Sequence, residues 1–222
     1  MNYKLLNDIN LNKLKEMNKN ELIELSDEVR QFLIDSTSKT GGHIGANLGT
    51  VELSIALHYL FDSPNDVMVW DTGHTGYTHK ILTGRLDKFK TLNTYGGMNR
   101  FVSRSESEHD FIEASHAGTS ISVALGRALS LRNKGKKEWS IAIIGDGALA
   151  EGIALEALNH ASVEKNVNLM IVLNDNGYAI SPGFGALHEY LQKRTIDTEK
   201  SDTLFTSLRY EVVGPVYGHS ID

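Results

Sequence analysis

The sequence predicts an α/β domain: a doubly wound, mostly parallel sheet with helices on both faces. Three observations carry that expectation. Residues 139–144 form a short apolar, β-branched run that reads as a buried strand. Residues 148–161 are rich in good helix formers. Residues 169–173 form a second buried run. The first run ends on Gly145, Asp146 and Gly147 and the second on Asn174, Asp175 and Asn176, which gives a βαβ unit with both polar tips on the carboxyl edge of the sheet.

That edge is where such sheets bind ligands, and the residue types there suit a metal-bound diphosphate. Glycine lets the chain turn tightly with no side chain to obstruct a ligand. Free N–H groups and the helix dipole favour an anionic phosphate. Asp146 offers a hard anionic oxygen and Asn176 an amide oxygen, and Mg²⁺ bridging to phosphate takes few protein ligands. Their separation of about thirty residues is what one helix and one strand need to return to the same edge.

Composition bounds the rest. With 222 residues, 41% hydrophobic and 23% charged, the chain is large enough for a real core. A net charge of −6 offers no general basic surface, which argues against nucleic acid. The absence of cysteine excludes a disulfide framework and a zinc–thiolate site, in keeping with a cytoplasmic location. The first residues lack the apolar core of a signal peptide, and no apolar run reaches membrane-spanning length.

Taken in order, residues 1–19 read as an Asn- and Lys-rich arm with room for one short helix, and residues 20–222 as the domain. An amphipathic packing helix over 20–34 places Leu22, Leu25, Val29 and Leu33 on one stripe, with Asn20 as its expected cap. Four glycines then surround His43 ahead of a helix over 51–61, a loop whose backbone can approach a ligand and whose histidine is an acid–base or substrate-binding candidate. His58, among apolar residues, reads as structural. A short strand over 66–70 leads into a second glycine-bounded histidine, His74. A third loop, with Ser115, His116 and Ala117, opens a helix that its small hydroxyl residues are expected to cap. Residues 96–110 read as a surface excursion with solvated charges.

These stretches carry a wider resemblance. Gly41 to His43, Leu48 to Leu53, Trp70 and Asp71, His79 to Arg85, Glu106 to Glu108, Thr119 to Ser122, Leu173 to Asn176 and Gly214 to Val216 resemble, in order, the 1-deoxy-D-xylulose-5-phosphate synthases of the transketolase superfamily. The resemblance implies the thiamine-diphosphate-binding fold and two cofactors, thiamine diphosphate and Mg²⁺. Asp146, Asn176 and the carbonyl of Tyr178 would hold the metal. Gly145, Gly147, Ala148, His74, Ser115, His116, Ala117 and Asn176 would contact the cofactor. His43, with His74, would take part in proton transfer at the substrate.

The implied reaction is decarboxylation of pyruvate and transfer to an aldehyde phosphate, in a homo- or hetero-oligomer. Departures from the family pattern include Ser115 and Ala117, Thr75 and Gly76, the transketolase-like Glu151 and Gly152, and a shortened segment near 192–204. Against the family pattern, the domain is expected to be incomplete at its C-terminal end. The resemblance implies that the activating glutamate comes from a pyrimidine-binding domain outside these 222 residues, so the chain alone is expected to be inactive. The chain is then either a subunit whose partner supplies that half or a fragment of a longer protein. A split transketolase-like ketol transferase and a non-catalytic module retaining the fold are the alternatives.

Overall fold

Three parallel strands in the order β1-β2-β3 form the centre of the protein: β1 (Val67–Trp70), β2 (Ser140–Gly145) and β3 (Leu169–Asn174). A computed structural model describes residues 3–113, 115–193 and 203–221. The register pairs Trp70 with Ile143 and Gly145 with Asn174, so the strands finish together at one edge.

Alternation along the strands sets the layers. Val67, Val69, Ala142 and Ile144 face one side and pack with Ile121, Ala124, Ala154, Ala157 and Leu158. Those residues belong to α6 (Ser120–Asn133) and α8 (Gly152–Ala161). Met68, Trp70, Ile141 and Ile143 face the other side, against Leu57 of α4 (Val51–Leu60) and Val102. Both faces of the sheet are therefore covered, as an all-parallel sheet requires.

Outside α4 lies a helical layer that extends the core. Its spine is α2 (Lys19–Thr40), whose Leu22, Leu25, Val29 and Leu33 are all buried, as their shared stripe predicts. The cap is Asn18 rather than Asn20. Asn18 accepts from the N–H groups of Asn20 and Glu21, and Glu21 accepts from Asn18 N–H in return. A glutamate three residues after an asparagine is the reciprocal signature that places the start two residues earlier. The arm is held against this layer. It contains α1 (Leu11–Glu16), and Leu6 and Leu14 are completely buried.

Two further expectations are corrected. The helix expected over 148–161 is two helices, α7 (Asp146–Leu149) and α8, because Glu151 adopts an extended backbone between them. That bend fits the close approach of the loop ahead of α6: at Gly118, whose φ is +81°, a Cβ would lie 2.8 Å from Glu151 Cβ. The segment over 96–110 is a solvated excursion only in part: Arg100, Arg104 and Glu108 are exposed, but two of its carboxylates are not free. Asp110 is buried and accepts a bidentate pair from Arg85 (2.6 and 2.8 Å), while Glu106 accepts from Lys80 Nζ (2.6 Å), itself buried.

Four remaining points bear on the sequence reading. His58 is fully buried in the same network as Asp110, through His79, in agreement with a structural role. Residues 210–216 form no strand, and Val213 and Val216 are exposed. Most of the shortened segment, 194–202, lies outside the described residues. Among the described residues, no helix is long and apolar enough to cross a membrane.

Candidate active site

Each strand hands its chain to the site at its carboxyl end. After β1, the backbone runs through Asp71 to His74 and into α5 (Tyr77–Lys80). Asp71 is buried, and its carboxylate accepts from the N–H groups of Gly118 (2.8 Å) and Ser120 (2.9 Å). This remote carboxylate, rather than a local hydroxyl, caps α6; the Thr119 side chain makes no capping bond. It also ties the exposed loop of Ser115, His116 and Ala117 to the His74 loop. Asp71→Ala strands two buried N–H donors and removes a favourable charge from the helix start. It is expected to lower stability by about 2 kcal/mol. Urea denaturation should show this as a lower midpoint at unchanged slope; an unchanged midpoint would mean that water replaces the cap.

His43 precedes α3 (Ile44–Leu48), and its ring meets the His74 ring edge to face at 5.4 Å between centroids. The Phe101 ring lies 5.8 Å from His43. Burial lowers the His43 pKa, with the Arg100 charge adding to it. Burial lowers that of His74 as well, reinforced by His43 and opposed by Asp71. Both rings are therefore neutral near pH 7, and both Nδ1 atoms are buried without a hydrogen-bond partner. Asn47 joins the two loops, and neither it nor Asp71 was singled out as a site residue from the sequence. Asn47 lies in the glycine-rich stretch where only the histidine stood out, and Asp71 is signalled only by its place at the tip of β1.

The other half of the site is built by β2 and β3. Gly145 ends β2, and Asp146, Gly147 and Ala148 form the first turn of α7. At Gly147, a Cβ would stand 2.8 Å from Ala179 Cβ, so glycine is what allows this turn and the loop after β3 to meet. Burial raises the Asp146 pKa, and the neighbouring Asp175 charge raises it further, against hydrogen bonds from the backbone N–H groups of Gly147 and of Asp146 itself and the His188 charge. Asn176 is exposed, and its Oδ1 accepts from Tyr178 N–H (2.9 Å), while Asp175 Oδ1 accepts from Gly177 N–H (2.9 Å). The Tyr178 side chain is exposed.

This donor set fits Mg²⁺. The Asp146 and Asp175 carboxylates repel each other at one corner of the sheet, and a hard divalent cation relieves such repulsion. Among the described residues, no group of three or more His, Cys, Asp or Glu is placed to hold a metal. The turn at Gly145, where the nearest atom to an added Cβ is Asn174 O at 3.9 Å, likewise leaves room along the edge.

Comparison with known proteins bears on whose site this is. A sequence profile described as 1-deoxy-D-xylulose-5-phosphate synthase matches residues 6–202. The chain belongs to the 1-deoxy-D-xylulose-5-phosphate synthase family. It is 43% identical over 256 residues to the 1-deoxy-D-xylulose-5-phosphate synthase of Cupriavidus metallidurans, covering 100% of this chain and 40% of that protein. It is 52% identical over 194 residues to the enzyme of Cupriavidus taiwanensis, covering 87% of this chain and 30% of that protein. The chain thus spans about two-fifths or less of the length of these curated relatives.

The first of these matches is longer than the 222-residue chain, so the relative carries residues that this chain lacks. Among solved structures, a transketolase mutant from Pichia stipitis matches with a TM-score of 0.65 at 20% identity, over 72% of this chain and 27% of that one. Transketolase from Leishmania mexicana matches with a TM-score of 0.60 at 19% identity, over 72% and 28%. These neighbours share the thiamine-diphosphate-binding fold with the synthase-like N-terminal domain described here.

Proposed function

We propose that this chain is the diphosphate- and Mg²⁺-binding half of a thiamine-diphosphate-dependent transferase similar to 1-deoxy-D-xylulose-5-phosphate synthase. It would act in pyruvate decarboxylation and transfer to an aldehyde phosphate. One observation supports this reading above the rest: the neutral His43–His74 pair and the Gly145–Gly147 and Asn174–Asn176 tips lie at the carboxyl ends of one parallel sheet and its flanking loops, in a chain of this family. Identities of 43 to 52% to synthases favour this chemistry over that of a ketol transferase.

Asp146, Asn176 and the Tyr178 carbonyl would hold the metal. The N–H groups at the start of α7, with Gly147 and Ala148, would receive the diphosphate. His74 and the loop of Ser115, His116 and Ala117 would border the rest of the cofactor. When bound, thiamine diphosphate supplies the carbon-centred chemistry; the protein supplies binding, orientation and proton transfer. A buried unpaired N–H is costlier than a buried lone pair, which favours neutral rings with the proton on Nε2. His43 would then offer Nε2–H to a substrate oxygen and take the proton back, and the Phe101 ring would help to exclude water.

In this reading a second domain or subunit supplies the glutamate that activates the cofactor, and the small-molecule acceptor is bound there. The test has two parts. Calorimetric titration with thiamine diphosphate, with Mg²⁺ or with EDTA, should show metal-dependent binding once the complementary half is present. Pyruvate consumption with an aldehyde phosphate should require both halves. Turnover by the pure chain would overturn the need for a second half. Metal-independent binding, or none with both halves mixed, would overturn the reading itself.

A further inference from the structure

Asn47 is the most heavily engaged side chain near the two histidines. It is fully buried on α3, and its Nδ2 donates to the carbonyls of His43 (2.8 Å) and His74 (2.7 Å). Its Oδ1 accepts from Tyr77 N–H (2.8 Å). These partners fix the orientation of the amide, since a carbonyl only accepts and a backbone N–H only donates. Both hydrogens of Nδ2 are used. The His43 backbone is held at its other end too, where its N–H donates to Tyr77 Oη (3.3 Å). One residue pair, Asn47 and Tyr77, thus fixes the peptide groups that carry both imidazoles.

We propose that Asn47 is a positioning residue that sets His43 and His74 as one unit, so that the two imidazoles meet the ligand in a fixed mutual orientation. The inference deepens the proposed function and rests on it for the statement that a ligand lies against these rings. No other residue in the described structure donates hydrogen bonds to both histidine backbones. Thr50 Oγ1, which donates to Thr75 O (3.1 Å), ties only the His74 loop. The groups that set the charge of the pair are Arg100 and Asp71 besides the rings themselves. Fixed at this separation, the rings resist double protonation, which keeps both available as neutral donors and acceptors.

The test is an NMR titration of the histidines in the whole chain, unmodified and with Asn47→Ala or Asn47→Asp. The aspartate keeps an acceptor for Tyr77 N–H but offers no hydrogens to the two carbonyls. Freed loops hydrate and separate, so His43 and His74 should both titrate at higher pH in each variant, moving together toward the ordinary value of 6.5. His58 and His79, buried in a separate network, should keep their lowered values and so report an intact fold.

If only one of the pair moves, or neither does, while His58 and His79 hold, the proposal fails. It also fails if all four lose their lowered values in both variants, because Asn47 then serves the fold as a whole. Neither titration needs thiamine diphosphate or Mg²⁺. A failure of cofactor binding would therefore count against the proposed function and leave this result standing.

Discussion

Replacing Asp110 by alanine is expected to lower the melting temperature by on the order of 10 °C, the largest stability effect of any single change considered. Asp110 has no exposed side-chain surface and accepts from Arg85 Nη1 and Nη2, from His79 Nε2 (2.9 Å) and from Ser103 N–H (2.8 Å). Burial pushes its carboxyl up, but the His79 and Arg85 hydrogen bonds and charges outweigh that and hold it well below the usual range. Removing the carboxylate leaves the Arg85 guanidinium buried beside Lys80 with only Glu106 for compensation. Breaking a buried ionic network in this way costs about 3–5 kcal/mol. A domain of this size loses about 2–4 °C for each kcal/mol. Differential scanning calorimetry on Asp110→Ala measures it directly; a fall of only a degree or two would show that the cluster relaxes or admits water.

The same network fixes the direction of the pH dependence. Burial lowers the pKa of His79 against the pull of Asp110, and burial lowers that of His58 well below the ordinary value. Both are neutral at pH 7, leaving Lys80 and Arg85 balanced by Glu106 and Asp110. His79 Nε2 then donates to Asp110, and His58 Nε2 donates to His79 Nδ1 (2.8 Å). Below about pH 6.5 the unfolded chain binds protons that these rings refuse, so stability falls on acidification. Asp110 adds to the fall below about pH 4, because its folded pKa is depressed and its contribution is lost as it protonates.

How much of this was legible in the sequence follows from the range of the forces involved. The strands β2 and β3 and the turn at Gly145 are written in local runs of apolar residues and in glycine, so they were placed within a residue of where they lie. The stripe on α2 was equally local, but its start was misplaced by two residues because Asn20 and Asn18 both look like caps. Asp110 and Glu106 looked solvated because their partners Arg85 and Lys80 lie 25 and 26 residues away along the chain. The cap of α6 comes from Asp71, 47 and 49 residues from the N–H groups it satisfies. Charge pairing and capping across such distances leave no periodic trace. The histidine loops stood out by composition; the Asn47 amide that joins them did not.

Asp146→Asn is expected to weaken Mg²⁺-dependent binding of thiamine diphosphate roughly 100-fold or more, since even outer-sphere changes at metal sites cost 10- to 100-fold. The same change should leave the metal-free fold intact. The two halves of this expectation come from one fact: the carboxyl of Asp146 is pushed up by burial and by the Asp175 charge. A carboxyl whose folded pKa is raised favours its protonated form on folding, so its ionised form at pH 7 costs stability. An amide of the same shape removes that cost, and the melting temperature of the metal-free protein should hold or rise slightly. A divalent cation acts on the same repulsion from the other direction and must displace the proton to bind. Affinity for Mg²⁺ should therefore fall as the pH drops from 7 toward the raised pKa. Titration calorimetry with Mg²⁺ and thiamine diphosphate at several pH values, in the presence of the complementary half, measures both effects. A variant that binds as tightly as the parent would remove Asp146 from the metal site. A variant that loses binding and melts several degrees lower would make Asp146 a structural residue instead, and the corner formed by β2 and β3 would lose its assignment as the cation's seat.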